Sequence, residues 1–163
     1  LKLQQLMAKD SLSEKEMLRK AADFCAYRER TQDEVRGKLK KIAVFGDQAE
    51  AIICRLIEDG FINEERFAKA FAGGKFRMKK WGRLRIENEL KRKGISKRCI
   101  QIGLKEIDEM DYRKSLVDLL KKKSKQVTVN NPFLRRSKIA SYAIGKGFES
   151  DLVWHVTSEL LPD

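Results

Sequence analysis

The stretch KKWGRLRIENELKRKGI, residues 79–95, decides how the chain folds. Ile86 and Leu90 stand four apart and share one side of a helical wheel, while Arg85, Asn88 and Arg92 fall on the other. A helix from about Gly82 to Lys93 thus has two core anchors and an exposed basic back. Gly94 suits a left-handed helix stop, because it has no Cβ to clash there. Trp81 precedes the helix and is placed to staple its start rather than to stack on a base.

The same pattern recurs on either side. In TQDEVRGKLKKIAVFG, residues 31–46, Val35 and Leu39 are four apart; in PFLRRSKIASYAIGKGFES, residues 132–150, Ile139 and Ala143 are. Leu39, Leu90 and Ala143 are separated by 51 and 53 residues. Lys93-Gly94-Ile95 and Lys146-Gly147-Phe148 give two copies the same ending. A longer helix precedes each copy and a further helix follows. The unit is three helices of about fifty residues, present three times. The expected fold is all-α, with three tandem three-helix repeats stacked into an elongated, curved body. The expected boundaries are 1–60 for the N-terminal helices and first repeat, 61–107 for the second and 108–163 for the third. Ala143, where the other copies have Leu, predicts looser packing in the third.

Other signals agree with helices. Leu18, Ala21, Ala22 and Cys25 form an apolar stripe, as do Ala49, Ile52, Ile53 and Leu56, and Ile100, Gly103, Leu104 and Ile107. Thr31 and Glu34 make a capping box, Asn63 precedes the acidic pair Glu64 and Glu65, and Asn131 precedes Pro132. QVTVN at 126–130 is an extended connector. Gly73-Gly74 inside a helix costs about 2 kcal/mol relative to alanine, which predicts a kink or an early end.

The net charge is +12. Lys75 to Arg98 holds eleven basic and two acidic residues, and Arg113 to Lys138 nine basic and one acidic. The stretch between these two and the one after them are acidic. Clustering of this kind points to a polyanionic partner, nucleic acid first. Cys25, Cys54 and Cys99 lie far apart without metal-ligand spacing, so zinc and other metals are not expected. An odd cysteine count with no signal peptide implies reduced thiols and a cytoplasmic protein. The start at Leu1 implies that an upstream residue has been trimmed. No apolar run has the length of a membrane span.

Enzymatic signatures are missing. His155, the single histidine, is expected at the core or its boundary on an amphipathic helix. Asp108, Glu109 and Asp111 read as the acidic opening of a helix containing Tyr112, Leu116 and Leu119, not as a metal cluster. No phosphate-binding glycine loop with Lys and Ser or Thr occurs, so any ATP hydrolysis belongs to a partner.

GFINEERFAKAF (60–71), followed by KWGRLRIENELKRKGI, resembles the central signature of the RecX family, bacterial regulators of the RecA recombinase. RERTQDEVRGKL (28–39) is similar to the family's first signature. The likeness is good from Ala22 to Ile107 and weaker beyond. It implies three tandem three-helix repeats, no catalytic site and no cofactor. It also implies binding to the RecA–DNA filament along its groove, mainly inhibitory control of recombination, DNA repair and the SOS response, and weak direct DNA binding. The expected contact residues are Arg28, Arg30 and Lys38 of the first repeat and Lys79, Lys80, Arg83, Arg85, Lys91 and Arg92 of the second, in a monomer. Side chains on the basic back of the second repeat are expected to be replaceable with little effect on folding. The alternative is a stand-alone DNA-binding protein of helix-turn-helix type, with one short helix per unit entering the major groove.

Overall fold

In the computed structural model residues 12–162 are described, and among them the chain forms nine α-helices and no strand. They are α1 (Glu14–Tyr27), α2 (Gln32–Lys41), α3 (Gly46–Glu58), α4 (Glu64–Lys79), α5 (Arg83–Arg92), α6 (Lys97–Leu104), α7 (Glu109–Ser124), α8 (Pro132–Gly145) and α9 (Ser150–Leu160). The chain divides into two compact units, Leu1–Glu64 and Glu65–Asp163. The residues before position 12, including the start at Leu1, and Asp163 lie outside the described part.

The first unit holds α1, α2 and α3, each packed on the other two. Two capping boxes set its helix starts. Ser13 accepts from the Glu16 amide and Thr31 from the Glu34 amide, while each glutamate accepts from the backbone N–H of its cap. Ala21, Cys25, Val35, Leu39, Ile52, Ile53 and Leu56 form the core, and Leu18 and Ala22 are half-buried at its edge.

The second unit holds the remaining helices around one continuous core, which runs from Phe67 on α4 to Val156 on α9. Neither triplet closes a core alone; each covers the apolar stripes of the other. α4 runs through Gly73 and Gly74 to Lys79, so the helix does not end early at the pair. Phe67, Ala68, Ala72 and Phe76 are buried on one face before and after the pair, and burying two Phe side chains contributes more than the glycines cost. The space left by Gly73 receives the Arg77 side chain, whose Nη1 would lie 2.8 Å from an added Cβ.

Two other expectations change, the places of Ile107 and His155, while Tyr112, Leu116 and Leu119 share one helix as expected. α6 ends at Leu104, so Ile107 reaches the core from the following turn instead of from the helix. On α7 the fully packed residues are Tyr112, Leu116 and Leu120, with Leu119 half-buried beside them. His155 is exposed on the outer face of α9, 3.1 Å from Glu159. The face of α9 that meets the core presents Val153, Val156 and Thr157, and His155 falls outside it.

The repeated pattern is reproduced in backbone hydrogen bonds. Val44 N–H donates to the Leu39 carbonyl at 3.0 Å, Ile95 to Leu90 at 3.1 Å and Phe148 to Ala143 at 3.3 Å. This is one C-terminal cap used three times. Val35, Leu39, Ile86, Leu90, Ile139 and Ala143 are all 0% exposed. Ala143 is thus as buried as its leucine counterparts. The residue before the closing donor has positive φ each time: +59° at Ala43, +77° at Gly94 and +99° at Gly147. Only the first copy places a Cβ in that conformation. Ala43→Gly should therefore stabilise the first unit by about 1 kcal/mol. A raised urea midpoint checks it, and a lowered one would contradict the cap.

Candidate functional site

α5 presents its basic back as the wheel requires: Ile86 and Leu90 are buried, and Arg85, Asn88 and Arg92 are exposed. Trp81 is half-buried and meets Phe71 of α4 edge-on, with ring centroids 6.4 Å apart. Its ring carries the Arg85 guanidinium at 4.2 Å and the Lys75 ammonium at 5.1 Å. The tryptophan thus supports two cations at the start of the basic face. Lys91 pairs with Glu87 at 3.0 Å and Arg92 with Glu89 at 2.9 Å. Both are exposed pairs on one helix, worth a few tenths of a kcal/mol and easily exchanged for another anion.

Arg83 differs from these. Its guanidinium lies 2.6 Å from Glu109, 3.5 Å from Glu149 and 3.9 Å above the Tyr112 ring. The Tyr112 hydroxyl donates to Glu149 at 2.5 Å and accepts from the Arg83 backbone N–H at 3.1 Å. Burial, then the Glu149 carboxylate, pushes the Tyr112 phenol well above its ordinary range. Burial opposes the Arg83 charge, but the hydrogen bond it donates to Glu109 and the attraction of the Glu109 and Glu149 carboxylates together outweigh it and raise the guanidinium pKa. Arg83 thus ties α5 to the third triplet, and the expectation that it could be replaced without effect on folding is corrected. Its partners Glu109 and Glu149 are distant in sequence.

In the first unit, Arg28 pairs with Glu34 at 2.8 Å. Arg30 lies 3.7 Å from the same carboxylate and 3.8 Å above the Phe24 ring, with a side chain only 11% exposed. Lys38 reaches the Phe24 ring at 5.6 Å. These three cations gather around Glu34 and Phe24, and Arg30 is mainly a packing residue.

The structure adds two features that were not singled out. The start of α5 donates backbone N–H groups to the end of α8, Gly82 to the Lys146 carbonyl at 2.9 Å and Leu84 to the Gly147 carbonyl at 3.0 Å. Exposed Lys79 and Lys80 lie in one cleft with Lys122, Lys123 and Lys146. The net charge of residues 113–138 signalled the last group, but no one-helix wheel could bring Lys122 and Lys146 beside Lys79.

Among the described residues no group of three His, Cys, Asp or Glu side chains could hold a metal, and no helix is long and apolar enough to cross a membrane. The family model described as the second three-helix domain of RecX matches residues 63–104, which hold α4, α5 and α6. The regulatory protein RecX of Prosthecochloris aestuarii is 27% identical over 150 residues, spanning 88% of this chain and 93% of that protein. The regulatory protein RecX of Bacillus cytotoxicus is 26% identical over 140 residues, and the alignment spans 86% of this chain but 52% of that longer protein. The crystal structure of RecX from Lactobacillus salivarius has the same fold, with a TM-score of 0.81, 24% identity and coverage of 94% of this chain and 97% of that one. With a signature domain on its central triplet and relatives aligned along most of its length, the chain belongs to the RecX family of regulatory proteins.

Proposed function

We propose that the chain binds the RecA–DNA filament and regulates the recombinase, mainly by inhibition, and so modulates homologous recombination, DNA repair and the SOS response. The observation that carries this reading is the alignment with proteins named regulatory protein RecX over 88% of the chain. The basic face of α5 supports it, since a filament offers phosphate and acidic protein together. The protein acts as a cytoplasmic monomer without a cofactor, and ATP hydrolysis belongs to the recombinase.

Within the second unit the contact is made by Lys79, Lys80, Arg85, Lys91 and Arg92, with Arg83 holding the face in place. In the first unit, taken by itself, the contact residues are Arg28 and Lys38, backed by Arg30. A helix-turn-helix reader uses the N-terminal residues of its recognition helix on base edges. Here the first turn of α5 is docked on the carbonyls of Lys146 and Gly147, which speaks against that reading.

The test is the Arg85→Ala, Arg92→Ala double variant, assayed for inhibition of recombinase ATP hydrolysis on single-stranded DNA at two salt concentrations. Both side chains are exposed, so folding should change by less than about 0.5 kcal/mol each. Inhibition should weaken by about tenfold at the lower salt, and its salt dependence should flatten. Full inhibition with an unchanged salt response would overturn the assignment of this face.

A further inference from the structure

The cations of α5 are mostly spoken for. Arg83, Lys91 and Arg92 each have a carboxylate within 3.0 Å. The cleft formed by the end of α4, the end of α7 and the end of α8 is different. Lys79, Lys80, Lys122, Lys123 and Lys146 line it, and none of the five forms an ion pair with another described residue. Lys146 donates instead to the Lys79 carbonyl, at 3.3 Å. The Lys123 ammonium stands 4.4 Å from the centre of the Tyr142 ring, which is 39% exposed. Five lysines brought to one cleft at the ends of three helices repel one another, and an anion along the cleft relieves that repulsion.

The cleft continues past Tyr142 and Gln126 into a second stretch lined by Thr128, Ser137 and Ser141, with Lys138 at its side. Among the described residues no carboxylate lines either stretch. The groove therefore offers ammonium groups first, neutral hydrogen-bond donors next and an aromatic ring where the two meet. A single strand of nucleic acid presents that sequence of needs: repeated phosphodiester charge, sugar and phosphate oxygens, and unpaired bases with a π-face. Lysines act as point charges and suit phosphates in any base sequence. An acidic peptide would use the lysines but would meet the ring only where it also carries an aromatic side chain, whereas every base of a strand has a π-face.

We propose that this groove, built by the ends of α4, α7 and α8, binds single-stranded nucleic acid through its phosphodiester backbone, with Tyr142 as a stacking platform. The proposal concerns the chain alone and stands whether or not the recombinase reading holds.

Anisotropy of a labelled oligothymidylate, without recombinase, tests it. Lys122→Ala with Lys123→Ala should weaken binding by about tenfold and lower the slope of log affinity against log salt by about 1.4, two phosphate contacts on a single strand. Tyr142→Ala should weaken binding by about fivefold or more even at high salt, where stacking persists. Lys97→Ala with Arg98→Ala removes the same charge at the exposed start of α6 and should weaken binding by less than about threefold. Equal losses for the two charge-matched pairs, or an unchanged slope for the first, would overturn the proposal. So would a loss confined to polyglutamate binding, which would assign the groove to an acidic protein. A second measurement needs no variant: oligothymidylate should protect Lys79, Lys122, Lys123 and Lys146 of the native chain from acetylation. Uniform labelling with and without the strand would also overturn it.

Discussion

Gly82→Ala should lower the stability of the second unit by about 3–5 kcal/mol, a large share of what a domain of this size has. Gly82 is the N-cap of α5 and is pressed against the cap of α8. A Cβ there would overlap the carbonyl group of Gly147 and the nitrogen of Phe148, all backbone atoms that cannot rotate aside. The two helix ends would have to separate. That breaks the hydrogen bonds from Gly82 and Leu84 and leaves polar groups at a buried junction. Gly147 faces the same contact from the other side, since a Cβ on it would come within 2.7 Å of the Arg85 nitrogen. Gly37, mid-helix in α2 with open space around it, is the control: Gly37→Ala should stabilise by roughly 1 kcal/mol through helix propensity. Urea melts decide the matter, and a loss below 1 kcal/mol for Gly82→Ala, on that same estimate, would mean that the junction yields.

Leu39→Ala and Leu90→Ala should each cost about 2–5 kcal/mol. Both side chains are 0% exposed, and both sit one turn after a buried β-branched residue, Val35 or Ile86. Each also provides the carbonyl that closes its helix cap. The substitutions lie in different compact units, so hydrogen exchange of α2 and α5 amides should accompany the melts and assign each loss to its own unit. One neutral change beside one severe change would break the equivalence of the copies. The third copy already has alanine at this position. There Tyr112 and Phe148, with ring centroids 5.0 Å apart, supply bulk to the surrounding core.

The amino-acid sequence by itself determined the helices and their ends. Thr31 with Glu34, Asn131 with Pro132, and the stops at Gly94 and Gly147 act within four or five residues, through bonds that the helix geometry already fixes. The buried stripes were legible for the same reason, since a helix presents a fixed face to whatever covers it. The tertiary structure alone decided what each face meets. Gly73-Gly74 reads as a break until Phe67 and Phe76 are seen buried on either side of it. Arg83 reads as a free cation until Glu109, 26 residues away, is found beside it. Lys146 meets the Lys79 carbonyl across 67 residues, and Gly82 meets Gly147 across almost as many. Helix formation depends on near neighbours in the chain, whereas charge pairing and close backbone approach depend on which helices pack together, and that is set by the whole core of the second unit.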